Sequence, residues 1–191
     1  MLKTNIISED KDFALFAKHY CDASGNNTPL AHFKRVSIVR VFKNNDGAML
    51  GGYTLNSQQP IRYFDDIPAS GKSHFVVSKA NDVIETGGLW VKGEVSNFYK
   101  GIIYLWSLYD MAKSNKQFII SGAKHPKVAK LQSIIFPNKV YEGPIKNTDY
   151  ICIFYAKRYY IPIQALLVIY KYWLIDPLKK RLNLIKKQPK I

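Results

Sequence analysis

Residues 83–91 have the sequence Val-Ile-Glu-Thr-Gly-Gly-Leu-Trp-Val, which is rich in β-branched and apolar residues but contains two adjacent glycines. This composition predicts a strand with a bulge or a close backbone approach at the glycine pair. After a polar turn, the apolar positions from Phe98 to Ala112 recur every three or four residues and predict a helix. Residues 117–122 predict an interior strand, and residues 126–135 a second helix. This alternation predicts a sheet with parallel neighbours and crossover helices.

The flanking sequence adds further elements. Residues 8–20 predict a first helix capped by Ser8. Residues 35–42 and 48–55 are rich in β-forming residues and are joined by Asn-Asp-Gly, which predicts an antiparallel hairpin. Residues 148–157 predict a buried strand. Between residues 56 and 79 the periodicity is weak, which fits either a mobile loop or a poorly periodic helix.

Length and composition limit the class of protein. A chain of 191 residues that is 47% hydrophobic can fold as one domain and is not expected to be disordered. Cys21 and Cys152 are too far apart in sequence to indicate a disulfide framework or a zinc site. The histidines show no metal-ligand spacing, so no metal is expected. Because the N-terminal residues lack an apolar signal region, we expect a cytoplasmic protein.

The charge is unevenly distributed. The net charge is +14, and from residue 157 onward the only acid among many bases is Asp176. We therefore predict a division into residues 1–157, the folded domain, and residues 158–191, a basic C-terminal helix and tail. Such a segment favours an anionic partner, namely a membrane surface, a nucleic acid or an acidic protein. The alternative explanation is a basic tail that is merely solvated.

The C-terminal segment also has an amphipathic pattern. Apolar residues and bases alternate from Tyr159 to Leu184, and the uninterrupted apolar part is residues 159–170. A transmembrane helix needs roughly 20 such residues. We therefore expect an interfacial helix, in peripheral contact with the inner face of a membrane, and not a membrane-spanning one.

The order of these elements resembles the acyltransferase fold of the GNAT (Gcn5-related N-acetyltransferase) superfamily over residues 35–157. Residues 118–131 look like that family's fifth strand and fourth helix. Phe136-Pro137 and the later Tyr-Glu-Gly-Pro are similar to the endings of its long-chain relatives, the autoinducer synthases and N-acyl amino acid synthases. The resemblance implies an α/β (α+β) fold, a mixed sheet with flanking helices. It also implies transfer of an acyl group from a coenzyme A or acyl carrier protein thioester to an amine.

The resemblance assigns donor-binding roles to a short run of residues. Leu89, Trp90 and Val91 would line the pantetheine arm, and a phosphate would bind at Lys92, Gly93, Ser96 and Asn97. The family's phosphate loop has more glycines than this one, and Glu94 would repel a phosphate. A carrier protein, which presents a single phosphate, is less affected by this than coenzyme A. Alternatively, Lys92-Gly93 is a simple turn before a helix capped by Ser96 or Asn97.

Three residues are candidates for proton transfer. Glu85 sits where the family often places a carboxylate, and desolvation beside Trp90 would raise its proton affinity. It could instead be a solvated strand residue. The tyrosine that the family uses as a general acid is missing from Ala129-Lys130-Leu131-Gln132, and Tyr141 is a substitute. His125 is a further candidate base, or simply a loop residue or helix cap.

Other chemistries find less support. The sequence contains no Gly-x-Ser-x-Gly elbow, no Walker loop and no His-Glu-x-x-His. Nucleic-acid binding suits the basic, aromatic-rich composition, but no binding signature accompanies it and most aromatics lie in core-like segments. The competing hypothesis is a non-catalytic binding module that keeps the GNAT-like fold and acts through its basic tail.

Overall fold

The computed structural model describes residues 2–65, 67–145 and 148–180. Its strands are β1 (Lys3–Ile6), β2 (Ile38–Lys43), β3 (Met49–Asn56), β4 (Val83–Val91), β5 (Phe118–Ala123), β6 (Asn138–Ile145) and β7 (Thr148–Lys157). Its α-helices are α1 (Asp10–Ser24), α2 (Leu30–Arg35), α3 (Arg62–Asp65), α4 (Ala69–Lys72), α5 (Phe75–Ser78), α6 (Asn97–Lys113), α7 (Pro126–Ile135) and α8 (Ile161–Ile169). Residues 181–191 of the predicted basic tail lie outside the described residues.

The strands form one sheet in the order β1-β2-β3-β4-β5-β7-β6. The central pair β4–β5 is parallel, and α6 forms the crossover between these two strands. The remaining neighbours, including the predicted β2–β3 hairpin, pair antiparallel. The predicted mixed sheet with flanking helices is thus confirmed, with its single parallel pair at the centre.

Helices cover both faces of the sheet, and alternate strand residues show which face is which. On one face Ile84 of β4 packs with Ile103 of α6, Ala129 of α7 and Val168 of α8. We call this the α6 face. On the other, Val83 packs with residues of the β3–β4 connection, and α1 and α2 cover the neighbouring strands. We call this the α1 face.

Several elements differ from the sequence predictions. The β3–β4 connection holds the short helices α3 to α5, and apolar residues of this connection, such as Ile61 and Val76, are buried. The first helix begins at Asp10 with Glu9 at its N-cap, so Ser8 does not cap it. A short helix, α2, occupies the start of the predicted strand at Arg35. Strands β1 and β6 were not predicted.

The chain returns across the α6 face as one long helical segment, Arg158–Lys180. It comprises a 3-10 turn, Arg158–Tyr160, then α8, then a π-helical stretch, Tyr170–Ile175. The segment runs antiparallel to α6, because Arg158 donates to the carbonyl of Ala112 and Trp173 donates to that of Phe98. By length and composition alone, it is long and apolar enough to cross a membrane.

Candidate active site

The two central strands separate before they end. Their pairing runs from Val83 opposite Phe118 to Thr86 opposite Ser121. Gly87 and Gly122 come next in the two strands, and no pairing joins them. The backbone of β4 beyond Thr86 therefore borders a gap on its β5 side, where its donors and acceptors are available to an extended ligand.

A bulge in β4 lies beside this gap. On the β3 side Thr54 pairs with Gly87 but Gly52 pairs with Trp90, so the register shifts by one residue. Gly88 has a φ of +56°, a conformation that glycine adopts without strain. The bulge predicted at the glycine pair is confirmed. It reverses the alternation of side chains, so that Trp90 and not Leu89 lies on the same face as Glu85.

Glu85 is buried on the α1 face, with 3% of its surface exposed. Its Oε2 accepts a hydrogen bond from the backbone N–H of Arg62 at 2.9 Å, and its Oε1 lies 3.5 Å from Arg62 Nε. Burial raises the pKa of Glu85 above its ordinary value, and the positive charge of Arg62 opposes this shift. The carboxylate is therefore both held in place and more basic than an exposed glutamate.

Tyr63 lies at the point where the strands separate. Its ring packs directly on Gly122, where any side chain would overlap it. Its hydroxyl is 3.4 Å from the carbonyl oxygen of Gly122 and 3.9 Å from where a Cβ of Gly87 would be. The hydroxyl thus sits between the diverging strands. Burial raises the pKa of Tyr63 to about 12, so the phenol is neutral at physiological pH.

Helix α2 forms a second wall of this site. Arg35 donates from its guanidinium to the carbonyl of Pro60, two residues before Arg62, at 3.2 Å. Burial, together with the positive charges of Arg62 and Arg35, lowers the pKa of His32 to about 4. The site therefore combines a buried carboxylate, a neutral imidazole and two guanidinium groups.

The structure does not bring the other two predicted proton-transfer residues to Glu85. His125 caps α7 on the α6 face, where its Nδ1 accepts from the N–H of Lys127 at 3.2 Å. The hydroxyl of Tyr141 donates to the carbonyl of Pro144 at 2.7 Å. Tyr141 is two strands from Gly122 across the ladder, about 10 Å at ordinary strand spacing.

The predicted donor-binding residues fall along the separated part of β4. Leu89 is 38% exposed, whereas Val91 packs toward α6. The indole of Trp90 is buried against Phe16, with its ring 5.0 Å from that of His19. Within the described part of the chain, its Nε1 has no hydrogen-bond partner. Of the three, Leu89 is the side chain that solvent reaches most.

The turn between β4 and α6 has the geometry of a capped helix start. Ser96 is the N-cap, and its Oγ accepts from the N–H of Tyr99 at 3.4 Å. Asn97 is the first residue of α6. The ammonium of Lys100 donates to the carbonyl of Gly93 at 3.3 Å and so folds back over the turn. With Lys92, it brings two positive charges to the helix N-terminus against the one negative charge of Glu94, and this balance favours an anion.

A cavity of about 860 Å³ lies elsewhere. It is lined by Phe75, Phe118, Tyr159 and Pro162 together with Lys79 and Lys157. This is the end of the sheet where β5 begins and β7 ends, the opposite end of β5 from Gly122. Among residues 2–65, 67–145 and 148–180, no group of three or more His, Cys, Asp or Glu could hold a metal ion.

Solved structures resemble this fold over most of its length. FeeM, an N-acyl amino acid synthase from uncultured soil microbes, matches with a TM-score of 0.64 and 10% identity, covering 89% of this chain and 98% of that one. An acetyltransferase from Bacillus subtilis in complex with CoA matches at 0.55 and 12%, covering 82% and 99%. The ribosomal-protein-S18-alanine N-acetyltransferase from Escherichia coli matches at 0.54 and 10%, covering 82% and 94%.

No protein-family model and no curated protein matches the sequence. The likeness therefore lies in the arrangement of elements and not in the sequence. The order of elements is also what the resemblance of the sequence to acyltransferases rests on. The chain has the GNAT fold.

Proposed function

We propose that this protein is an N-acyltransferase that moves an acyl group from a thioester to an amine. The observation that carries the proposal is the position of Glu85. This buried carboxylate with a raised pKa lies on β4, and a single residue pair, Thr86–Ser121, separates it from the gap between Gly87 and Gly122. A gap of this kind accepts an extended arm, and a basic carboxylate beside it can take a proton from an amine.

The donor would lie along β4. The backbone of residues 87–91, which is unpaired on its β5 side, would hydrogen-bond the pantetheine arm, with Leu89, Trp90 and Val91 beside it. The phosphate would meet the N-terminus of α6 near Lys92, Gly93, Ser96 and Asn97. Both coenzyme A and acyl carrier protein present such an arm. One structural neighbour was solved with CoA bound, which supports a thioester of this type.

The chemistry requires one base and one acid. The amine nitrogen attacks the thioester carbonyl, and Glu85 accepts the proton that the nitrogen loses. The carbon–sulfur bond then breaks, and the leaving thiolate takes the proton of the Tyr63 hydroxyl. Glu85 returns its proton to the Tyr63 phenolate, so that both groups regain their starting states. Tyr63 is neutral before the reaction because of its raised pKa.

The acceptor would enter from the α1 face between α2 and the β3–β4 connection. Arg35 and Arg62 make this wall cationic, and the neutral His32 does not add to the charge. An amine that also carries a carboxylate, such as an amino acid, suits this wall. FeeM, which shares the fold, is an N-acyl amino acid synthase, and this agrees with the proposed acceptor class.

The test is a screen of donors and acceptors. Purified protein is mixed with acetyl-CoA, long-chain acyl-CoA or acylated carrier protein, and a set of amino acids, and products are detected by mass spectrometry. A ligand that binds the native state also raises the melting temperature. We expect an acylated amine from one donor class, and none with Glu85→Gln. The proposal fails if no donor shifts the melting temperature and no product forms.

A further inference from the structure

A second functional surface lies on the α6 face, away from Glu85. The segment Arg158–Lys180 exposes large apolar side chains along one side. They are Tyr159, Ile163, Leu166, Tyr170, Leu174 and Leu178, each between 49% and 66% exposed. Successive members are three or four residues apart, the spacing that places side chains on one face of a helix. We call this row the apolar stripe.

Helix α7 adds to the stripe. Val128, Leu131 and Ile134 are 45%, 60% and 60% exposed, again at three-residue spacing. The two helices meet where Gln164 donates from Nε2 to the carbonyl of Ile135 at 2.8 Å. Both cover the same face of the sheet. Together they expose far more large apolar side chains than the scattered ones normal on a soluble surface, which marks an interaction site.

The other side of the long segment is bound to the protein. Arg158 donates to the carbonyl of Ala112 at 2.6 Å, and Trp173 donates to that of Phe98 at 3.3 Å. Between them Val168 is buried in the core of the α6 face. A helix held along its length in this way presents only one face outward. This favours a segment that lies along a membrane over one that crosses it, although its length would suffice.

The charges around the stripe indicate the partner. The two helices carry Lys127, Lys130, Arg158, Lys171, Lys179 and Lys180. Their one acid, Asp176, lies 3.5 Å from Lys171 and is neutralised by it. Apolar side chains bordered by lysines, with two tyrosines among them, fit a bilayer interface with anionic headgroups. A second copy of this chain would set like charges against each other.

We propose that the apolar stripe and α7 dock this protein on an anionic lipid bilayer, with the helical segment in the plane of the interface. The inference is independent of the acyl transfer reaction. It rests on the exposed apolar rows and the bases beside them, on the side of the sheet away from the proposed acceptor entrance.

The experiment is co-sedimentation of the full chain with vesicles. One set is phosphatidylcholine, and the other is an equimolar mixture of phosphatidylcholine and phosphatidylglycerol. We expect binding to the mixed vesicles that weakens as salt increases. Leu166→Glu and Leu174→Glu alter positions that are exposed in the free protein. Each should weaken vesicle binding about tenfold, since each removes a leucine side chain that would be buried in the bilayer. The matched control is Leu15→Glu on α1, 40% exposed on the opposite face, which should bind normally.

Four results would overturn the proposal. The first is absence of binding to the mixed vesicles. The second is an equal loss of binding in the Leu15→Glu control. The third is a stable dimer in analytical ultracentrifugation that Leu166→Glu dissociates, because a second copy would then cover the stripe. Resistance of vesicle-bound protein to carbonate extraction would show that the segment spans the bilayer, which also contradicts an interfacial position.

Discussion

The backbone N–H of Arg62 donates to the carboxylate of Glu85, 23 residues later in the chain, while the Arg62 guanidinium faces the other oxygen. This contact attaches the β3–β4 connection to the central strand at the edge of the gap. It also places the next residue, Tyr63, against Gly122. One junction thus positions both groups to which we assign proton transfer.

Glu85→Gln should abolish most of the acyl transfer without unfolding the protein. The amide oxygen of glutamine can still accept from the Arg62 N–H, but it cannot take a proton from the amine. We expect kcat/KM to fall by about 10² to 10⁴, the range for loss of a general base. Steady-state kinetics on the donor found in the screen measures this. Glu142→Gln, on β6, is the control and should leave the rate intact.

The same variant should change how stability depends on pH. The folded-state pKa of Glu85 is raised above 4.5, so its contribution to stability is fully present below that pH. It is lost as the pH rises through the folded-state pKa, because the unfolded chain ionises more easily. Relative to the wild type, Glu85→Gln should therefore gain stability as the pH rises from below 4.5 to neutral. If plots of melting temperature against pH run parallel for the two proteins, the pKa of Glu85 is not raised.

Tyr63→Phe should separate the role of the hydroxyl in catalysis from the role of the ring in packing. The ring can still pack on Gly122, so the melting temperature should change little, while the leaving thiolate loses its proton source. We expect kcat to fall roughly 10- to 100-fold, less for a donor with a more acidic thiol. Tyr155→Phe, in the same core cluster, is the control. An unchanged rate for Tyr63→Phe would remove Tyr63 from the mechanism and leave the role of Glu85 open.

The central elements could be predicted because their signals are local. The apolar period of α6, the Pro at the start of α7 and the β-branched run of β7 each identify their element within a few residues. The glycine pair likewise identified the bulge. Which of Leu89 and Trp90 lies on the same face of the sheet as Glu85 could not be predicted, because it depends on the register between Gly52 and Trp90.

The missed parts carry no local sequence pattern that identifies them. β6 has a single buried residue, Val140, and contains Gly143 and Pro144, so its strand conformation depends on pairing with β7. Arg62 and Tyr63 lie in a segment without periodicity, so their place beside Glu85 emerges only when the β3–β4 connection folds back. The one available signal was the position of Arg62 next to two aromatic residues.

Asp110→Asn should destabilise the protein strongly. Asp110 of α6 accepts two hydrogen bonds from the Arg40 guanidinium, at 2.7 and 3.0 Å, and one from the Tyr53 hydroxyl at 2.6 Å. Removing its charge leaves Arg40 buried without a counterion, which costs about 3–5 kcal/mol. Urea unfolding measures the loss. The combined variant Arg40→Met, Asp110→Leu and Tyr53→Phe should lose less than Asp110→Asn alone, and a larger loss would contradict this explanation.

Gly101→Val should detach the end of the C-terminal helical segment from α6. A Cβ at Gly101 would lie 2.8 Å from Nε1 of Trp173 and 3.3 Å from Cβ of Tyr172. The indole therefore has to leave Phe98, on which it stacks at 5.5 Å. Hydrogen exchange should show faster exchange of amides in Tyr170–Ile175, while β4 and β5 stay protected. Gly93→Ala, where a Cβ meets nothing within 4 Å, should leave this exchange unchanged. If Gly101→Val exchanges like the wild type, Trp173 does not hold the segment in place, and the fixed orientation that we assign to the apolar stripe loses its support.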